Sequence, residues 1–192
     1  MKAITSADNP RFKALLKLAH SSRERRRAGL SLLDGVHLAA AYIENAGRPE
    51  QVVVSVAGRE NAEIETLLHA LAPLEPVLLS NALFRQLSTV ETPTGVLTAI
   101  VTPKPTAIPE DVATCVLLDG VQDPGNVGSI LRSAAAAGIE RVLLSKDSVH
   151  AWSPRVLRAG MGAHFMLHLH ENTDLPEFVQ EQIKKTKAAL AG

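Results

Sequence analysis

Short apolar runs alternate with helix-like segments twice along this chain, and a proline-rich break separates the two series. That alternation limits the fold more than any other feature, because continuous apolar strands set between helices need a sheet covered by those helices. In the first series SLLDG (31–35), QVVVSV (51–56), PVLLS (76–80) and TGVLTAIVT (94–102) read as strands. HLAAAYIENAG (37–47), NAEIETLLHALA (61–72) and NALFRQLST (81–89) carry helical spacing between them. PKPTAIPED (103–111) has three prolines in nine residues and reads as a linker. The second series has strands TCVLLDG (114–120), RVLLS (141–145) and FMLHLHE (165–171). Its helices are NVGSILRSAAAAG (126–138), SPRVLRAGMGAHF (153–165) and LPEFVQEQIKKTKAAL (175–190), which predicts a parallel sheet covered on both faces. Ahead of both series, NPRFKALLKLAHSSRERRRAG (9–29) reads as one helix opening at Asn9-Pro10 and closing at Gly29. The expected organisation is a small α/β domain over 1–102, a linker over 103–111 and a second α/β domain over 112–192.

Charge sharpens the division. The 192 residues carry 20 basic and 20 acidic side chains, yet residues 1–30 hold eight basic against two acidic, a local +6. Residues 31–110 come to −5 and residues 111–192 to −1. The basic arm, with Lys13, Arg23, Arg25, Arg26 and Arg27, has the density needed to neutralise RNA phosphates, although a solvated helix face reads the same way. Six aromatic residues are too few for a protein that binds single strands mainly by stacking bases on rings. The lone Cys115 excludes an internal disulfide and a multi-cysteine zinc site, and points to a reducing, cytoplasmic setting. No apolar run reaches the ~18 residues of a membrane span, and the first residues have no signal-peptide core.

Neither phosphate-cradling fingerprint occurs, which disfavours a dinucleotide-binding Rossmann protein and a P-loop NTPase. The informative stretch is LLDGVQDPGNVGSILRSAAAAG. Asp119 and Asp123 fall at the carboxyl end of a parallel strand, where open α/β sheets place ligands. Pro124 and Gly125 form a turn, Asn126 can cap the helix, and Arg132 follows six residues later. Taken alone, this is equally a capped helix with a surface arginine.

The string Asp123-Pro124-x-Asn126-x-Gly128 with Arg132 and Ala134 resembles the first motif of the SpoU (TrmH-type) RNA ribose 2′-O-methyltransferases of the SPOUT superfamily. Arg158, Ala159, Gly162, Ala163 and Phe165 are similar to a second family segment, with Gly160 where the family usually has serine. ITSADNPRFKALLKL, SLLDGVHLAAA and TPTGVLTAI resemble the family's substrate-binding domain, with Asp34 in place of its usual glutamate. The resemblance implies an α/β knot domain, here partial, that transfers a methyl group from S-adenosyl-L-methionine to a ribose 2′-hydroxyl of structured RNA, ribosomal or transfer. It implies Arg132 as the catalytic arginine, Asn126 as its polar partner, Arg158 as a phosphate contact, and a homodimer. The family's two later motifs, Gly-x-Glu-x-x-Gly and a Ser-Leu-Asn-type helix start, do not occur in this sequence, so the cofactor-binding residues stay unassigned. The alternative is a non-catalytic RNA-binding or partner-binding protein that keeps half of the domain. No metal is expected: His168 and His170 alternate on a strand near His164 but lack a ligand spacing for zinc. Cys115 is expected to be a buried small hydrophobe, and Trp152, in the loop HAWSP, to pack rather than stack on a base.

Overall fold

The computed structural model describes residues 3–88, 90, 92–109 and 114–191. The N-terminal segment forms two helices, α1 (Pro10–His20) and α2 (Ser22–Ala28), where the sequence predicts one. Ser21 takes extended angles (φ −123°, ψ 112°) and ends α1, and its side chain then accepts from the backbone N–H of Glu24 to start α2. Ser21 and Glu24 have the spacing of a capping box, a start signal that reading the segment as one amphipathic run passes over. Gly29 closes α2 in the left-handed region at φ 65°.

The first unit continues with β1 (Leu30–Asp34), α3 (Val36–Asn45), β2 (Gln51–Ser55), a 3-10 turn, α4 (Ala62–Leu71), β3 (Val77–Leu79), α5 (Asn81–Leu87) and β4 (Val96–Val101). The sheet order is β1-β4-β2-β3, with β4 antiparallel to β1 and β2 and with β2 parallel to β3. Strand alternation then sorts the side chains of β2. Val53 packs with Phe12, Leu15 and Phe84 beneath α1 and α5. Val52 and Val54 pack with Ile64, Leu67 and Leu71 beneath α4.

Residues 102–109 run without regular structure, and residues 110 and 111 of the expected linker lie outside the described residues. The second unit comprises β5 (Val116–Leu118), α6 (Pro124–Ala136), β6 (Arg141–Leu144), α7 (Pro154–Gly160), a 3-10 turn, β7 (His168–His170) and α8 (Leu175–Ala191). Its three strands are parallel in the order β5-β6-β7. The helix expected over 153–165 stops at Gly160, because Met161 (φ 48°) and Gly162 (φ 92°) both enter the left-handed region and the chain resumes as a single 3-10 turn.

The two units share a core. Leu33, Leu38, Tyr42 and Ile100 of the first pack in one buried cluster with Leu131, Val156, Leu157 and Ala163 of the second. Tyr42 meets Phe165 edge-on with ring centroids 5.3 Å apart. Trp152 lies inside this cluster at 3% exposure, so it packs and is not offered to a base. Cys115 is half-buried rather than enclosed, and burial pushes its thiol pKa up.

Candidate functional site

The turn after β5 is built from hydrogen bonds to the loop after β6. Ser145 Oγ accepts from the N–H of Gly120 at 2.9 Å, and Ser148 Oγ accepts from the N–H of Val121 at 3.2 Å while donating to Leu118 O. Helix α6 begins at Pro124, two residues earlier than the sequence predicts. Asp123, not Asn126, is its cap: Asp123 Oδ1 accepts from the N–H of Asn126 at 2.7 Å. A proline at the first helical position explains the shift, since it has no N–H to satisfy and its φ is already helical. Capping by Asp123 leaves the Asn126 side chain exposed and free for other partners.

Arg132 is exposed on the same helix and forms no ion pair among the described residues. Six residues of helix separate it from Asn126, about 9 Å along the axis and roughly 240° around it. The two side chains therefore flank the helix and do not meet on one face. What sits between them is packing. Gly128 faces α7 so closely that a Cβ there would lie 2.3 Å from Ala159 Cβ. Gly160 in turn faces the His164 ring, with a would-be Cβ 2.5 Å from Cε1. The imidazole of His164 thus occupies the space that a serine at 160 would need. His164 is 1% exposed, its Nε2 lies 2.9 Å from Ala151 O, and burial depresses its pKa to about 4.

Arg158 is exposed on α7, and its charge reaches the carboxyl of Asp34 at the end of β1 across the boundary between the units. Burial is the larger influence and raises the Asp34 pKa, against a hydrogen bond donated by Ser88 Oγ at 2.8 Å. Sequence reasoning missed the Ser88–Asp34 hydrogen bond and the nearness of the Arg158 charge to it, because nothing in local spacing links residues so far apart.

The basic arm divides. Arg23 and Arg26 are exposed cations. Lys13 pairs with Asp8 at 2.8 Å and Arg27 with Glu24 at 2.7 Å, both at the surface. Arg25 departs from the expectation of a surface phosphate contact, being 5% exposed. Its Nη1 donates to Leu18 O at 2.7 Å and Ala19 O at 3.2 Å, closing the end of α1 that the break at Ser21 leaves open. Burial and the neighbouring Arg26 lower its pKa. His168 and His170 are half-buried, and among the described residues no three His, Cys, Asp or Glu side chains are grouped to hold a metal ion.

The β5–α6 turn presents the exposed side chains of Asp119, Asp123 and Asn126. An α/β unit sharing its core with an open parallel sheet, whose first turn presents Asp-Pro-x-Asn-x-Gly and then an arginine, defines the class: a SPOUT-type α/β protein with an N-terminal substrate-binding unit.

Comparison with known proteins narrows this. Residues 113–191 match the SpoU rRNA methylase family and residues 9–98 the MRM3-like substrate-binding domain. The chain is 31% identical over 184 residues to the 23S rRNA (guanosine(2553)-2′-O)-methyltransferase RlmP of Bacillus subtilis, covering 94% of this chain and 69% of that protein. It is 32% identical to the mitochondrial rRNA methyltransferase 3 of Mus musculus, covering 85% of this chain and 40% of that protein. In fold it is similar to the SpoU methyltransferase AviRb of Streptomyces viridochromogenes, solved in complex with the cofactor AdoMet. The TM-score there is 0.75 at 24% identity, over 94% of this chain and 68% of that one. The chain belongs to the SpoU rRNA methylase family.

Proposed function

We propose that the protein takes part in S-adenosylmethionine-dependent methylation of a ribose 2′-hydroxyl in ribosomal RNA. The observation that carries this reading is the Asn126–Arg132 helix. Its first turn is held at the carboxyl end of β5 and both polar side chains are exposed, in a chain that aligns with RlmP along nearly its full length. S-adenosylmethionine supplies a methyl carbon on a sulfonium. This chain's own contribution is positioning and charge. A guanidinium is a poor proton acceptor, so Arg132 acts first as a cation that stabilises the developing alkoxide or grips the adjacent phosphate. Asn126, freed from capping, orients the ribose. Arg23 and Arg26 hold RNA phosphates at a distance, with Lys13 and Arg27 available once their surface ion pairs exchange for phosphate. Arg158 contributes at the boundary between the units. We place the protein in the cytoplasm and expect it to act as a homodimer, as the family resemblance implies.

The second reading is an RNA-binding or partner-binding module without methyl transfer of its own. Incorporation of labelled methyl groups from S-adenosylmethionine into ribosomal RNA separates the two. Wild type should label the RNA, and Arg132→Ala should abolish labelling with an unchanged circular dichroism spectrum. Labelling by Arg132→Ala at the wild-type level overturns the role given to Arg132. No labelling by wild type, with RNA binding intact, establishes the second reading.

A further inference from the structure

Helices α3 and α4 lie over the face of the first sheet opposite α1 and α5, and a groove of about 440 Å³ runs between them. None of the chemistry above uses it. Val36 and Ile43 from α3 and Leu67 from α4 form its floor, packed onto the buried cluster around Val54 and Ile64. Ala40, Thr66 and Ala70 stand exposed along its walls, and such short side chains leave it open to solvent. The Thr66 hydroxyl donates to Ala62 O at 2.9 Å, so it is satisfied within its own helix. Val36, Ala40 and Ile43 fall at i, i+4 and i+7 on one side, facing a matching stripe on the other. Two neighbouring helices with such stripes form the surface into which the ridge of a third helix packs.

Charge says what kind of helix. Strands β1 and β2 both run antiparallel to β4, and β3 runs with β2, so the crossover helices α3 and α4 point the same way. Glu63, in the first turn of α4, therefore marks one end of the groove, and Glu44, in the last turn of α3, marks the other. Both are exposed, and neither forms an ion pair within 4 Å among the described residues. Arg48 does not answer them: it donates to Ala70 O and Ala72 O and closes the end of α4. Residues 31–110 carry a net −5, so the surroundings are negative as well. A phosphate backbone is repelled by such a rim and gains nothing from an apolar floor. A helix of about three turns matches both, with an apolar side and a cation near each end.

We infer that this groove docks an amphipathic helix of a partner protein, rich in lysine or arginine, with its apolar side on Val36, Ile43 and Leu67 and its cations on Glu44 and Glu63. The site lies across the first sheet from α1, which leads into the basic arm, so one chain holds the partner and RNA on different faces. The inference does not depend on methyl transfer. The test uses the full chain and fluorescence anisotropy with a labelled peptide helix of about fifteen residues. The peptide carries leucine at i, i+4 and i+7 with lysine on its flanks, and a second version has glutamate for lysine. The lysine peptide should bind saturably, and the glutamate peptide about tenfold more weakly or not at all. Ala40→Gln with Ala70→Gln fills the groove from exposed helix positions that glutamine suits, and should weaken the lysine peptide about tenfold with Tm unchanged. Glu44→Gln with Glu63→Gln should weaken it about fivefold and flatten its salt dependence, the scale of two surface ion pairs. Ile183→Gln, on the exposed apolar side of α8, should change nothing. Equal affinity for the two peptides, loss through Ile183→Gln in place of the groove variants, or no saturable binding overturns the assignment. Displacement of the peptide by an oligouridylate gives the groove to RNA, and a sedimenting dimer that Ala40→Gln with Ala70→Gln dissociates gives it to a second copy; either overturns the partner helix.

Discussion

Gly128→Ala tests whether the motif glycine serves helix contact or merely sits in a helix. A Cβ at 128 would lie 2.3 Å from Ala159 Cβ, 2.7 Å from the Ala159 carbonyl carbon and 2.8 Å from Gly160 N. Carbon atoms rest at about 3.5–4.0 Å, so α6 and α7 would have to part by roughly 1 Å. Helix α7 has little freedom to move, because Val156 and Leu157 on it are both fully buried in the shared core. Overpacking of this kind costs about 1–3 kcal/mol, and the alanine recovers about 1 kcal/mol in helix propensity. The net loss is up to about 2 kcal/mol, or a fall in Tm of up to roughly 8 °C for a chain of this size. The assay is thermal unfolding followed by circular dichroism at fixed protein concentration. The opposite sign is the informative failure. If Gly128 were only a poor helix residue, Gly128→Ala would raise Tm by roughly 3 °C, and a rise of that kind refutes the packing argument.

Two further outcomes follow from His164. Gly160→Ser places a Cβ 2.5 Å from His164 Cε1 and 2.7 Å from Nδ1, and should cost about 1–3 kcal/mol alone. Combined with His164→Ala, the losses should fall short of additive by about 1 kcal/mol or more in urea unfolding, and strict additivity would show that the two do not compete for space. His164 also makes stability depend on pH. Its folded pKa of about 4 lies below the 6.5 of a free imidazole, so the unfolded chain binds the extra proton and stability falls as pH drops through 6.5 toward 4. Between pH 7 and pH 5 the loss is about 2 kcal/mol. His170, whose pKa is lowered chiefly by burial, acts in the same direction. The wild-type loss should therefore exceed that of His164→Phe over this interval, and equal losses would refute a buried neutral His164.

Most strands and helices were legible from period and punctuation, because each buries an apolar face and ends at a glycine, proline or capping side chain. The misreadings share a cause. Ser21, Met161 and Asp123 decide boundaries through backbone angles and caps, which an apolar period does not encode. The single helix expected over 9–29 failed for this reason, and so did the one over 153–165. Arg25 was misplaced because residue type says cation, while its position beside the open end of α1 says carbonyl partner. The candidate site was legible in part. The Asp-Pro-x-Asn-x-Gly string located the β5–α6 turn, but the faces that Asn126 and Arg132 occupy depend on which residue caps α6. Asp34, Ser88 and Arg158 come together only through the three-dimensional fold, as do Gly128 with Ala159 and Gly160 with His164.

The proline-rich segment invites a reading as a hinge between independent domains, and the core argues otherwise. Leu33 and Ile100 project from the first sheet into the cluster that also holds Leu131, Val156 and Leu157 of the second unit. A Cβ on Gly162 would come within 3.0 Å of Ala41 Cβ, so the turn after α7 is fitted to α3 at van der Waals range. Separating the units would expose these side chains to water at about 25 cal/mol for each Å² of apolar surface. The linker therefore supplies length, and the packing supplies orientation. A fixed orientation is what the proposed chemistry needs: a basic arm that grips phosphates can place one ribose at Arg132 only if the distance between grip and reaction site does not fluctuate. Gly128 and Gly160 serve the same end, since they let α6, α7 and the 3-10 turn close against the first unit without a spacer between them.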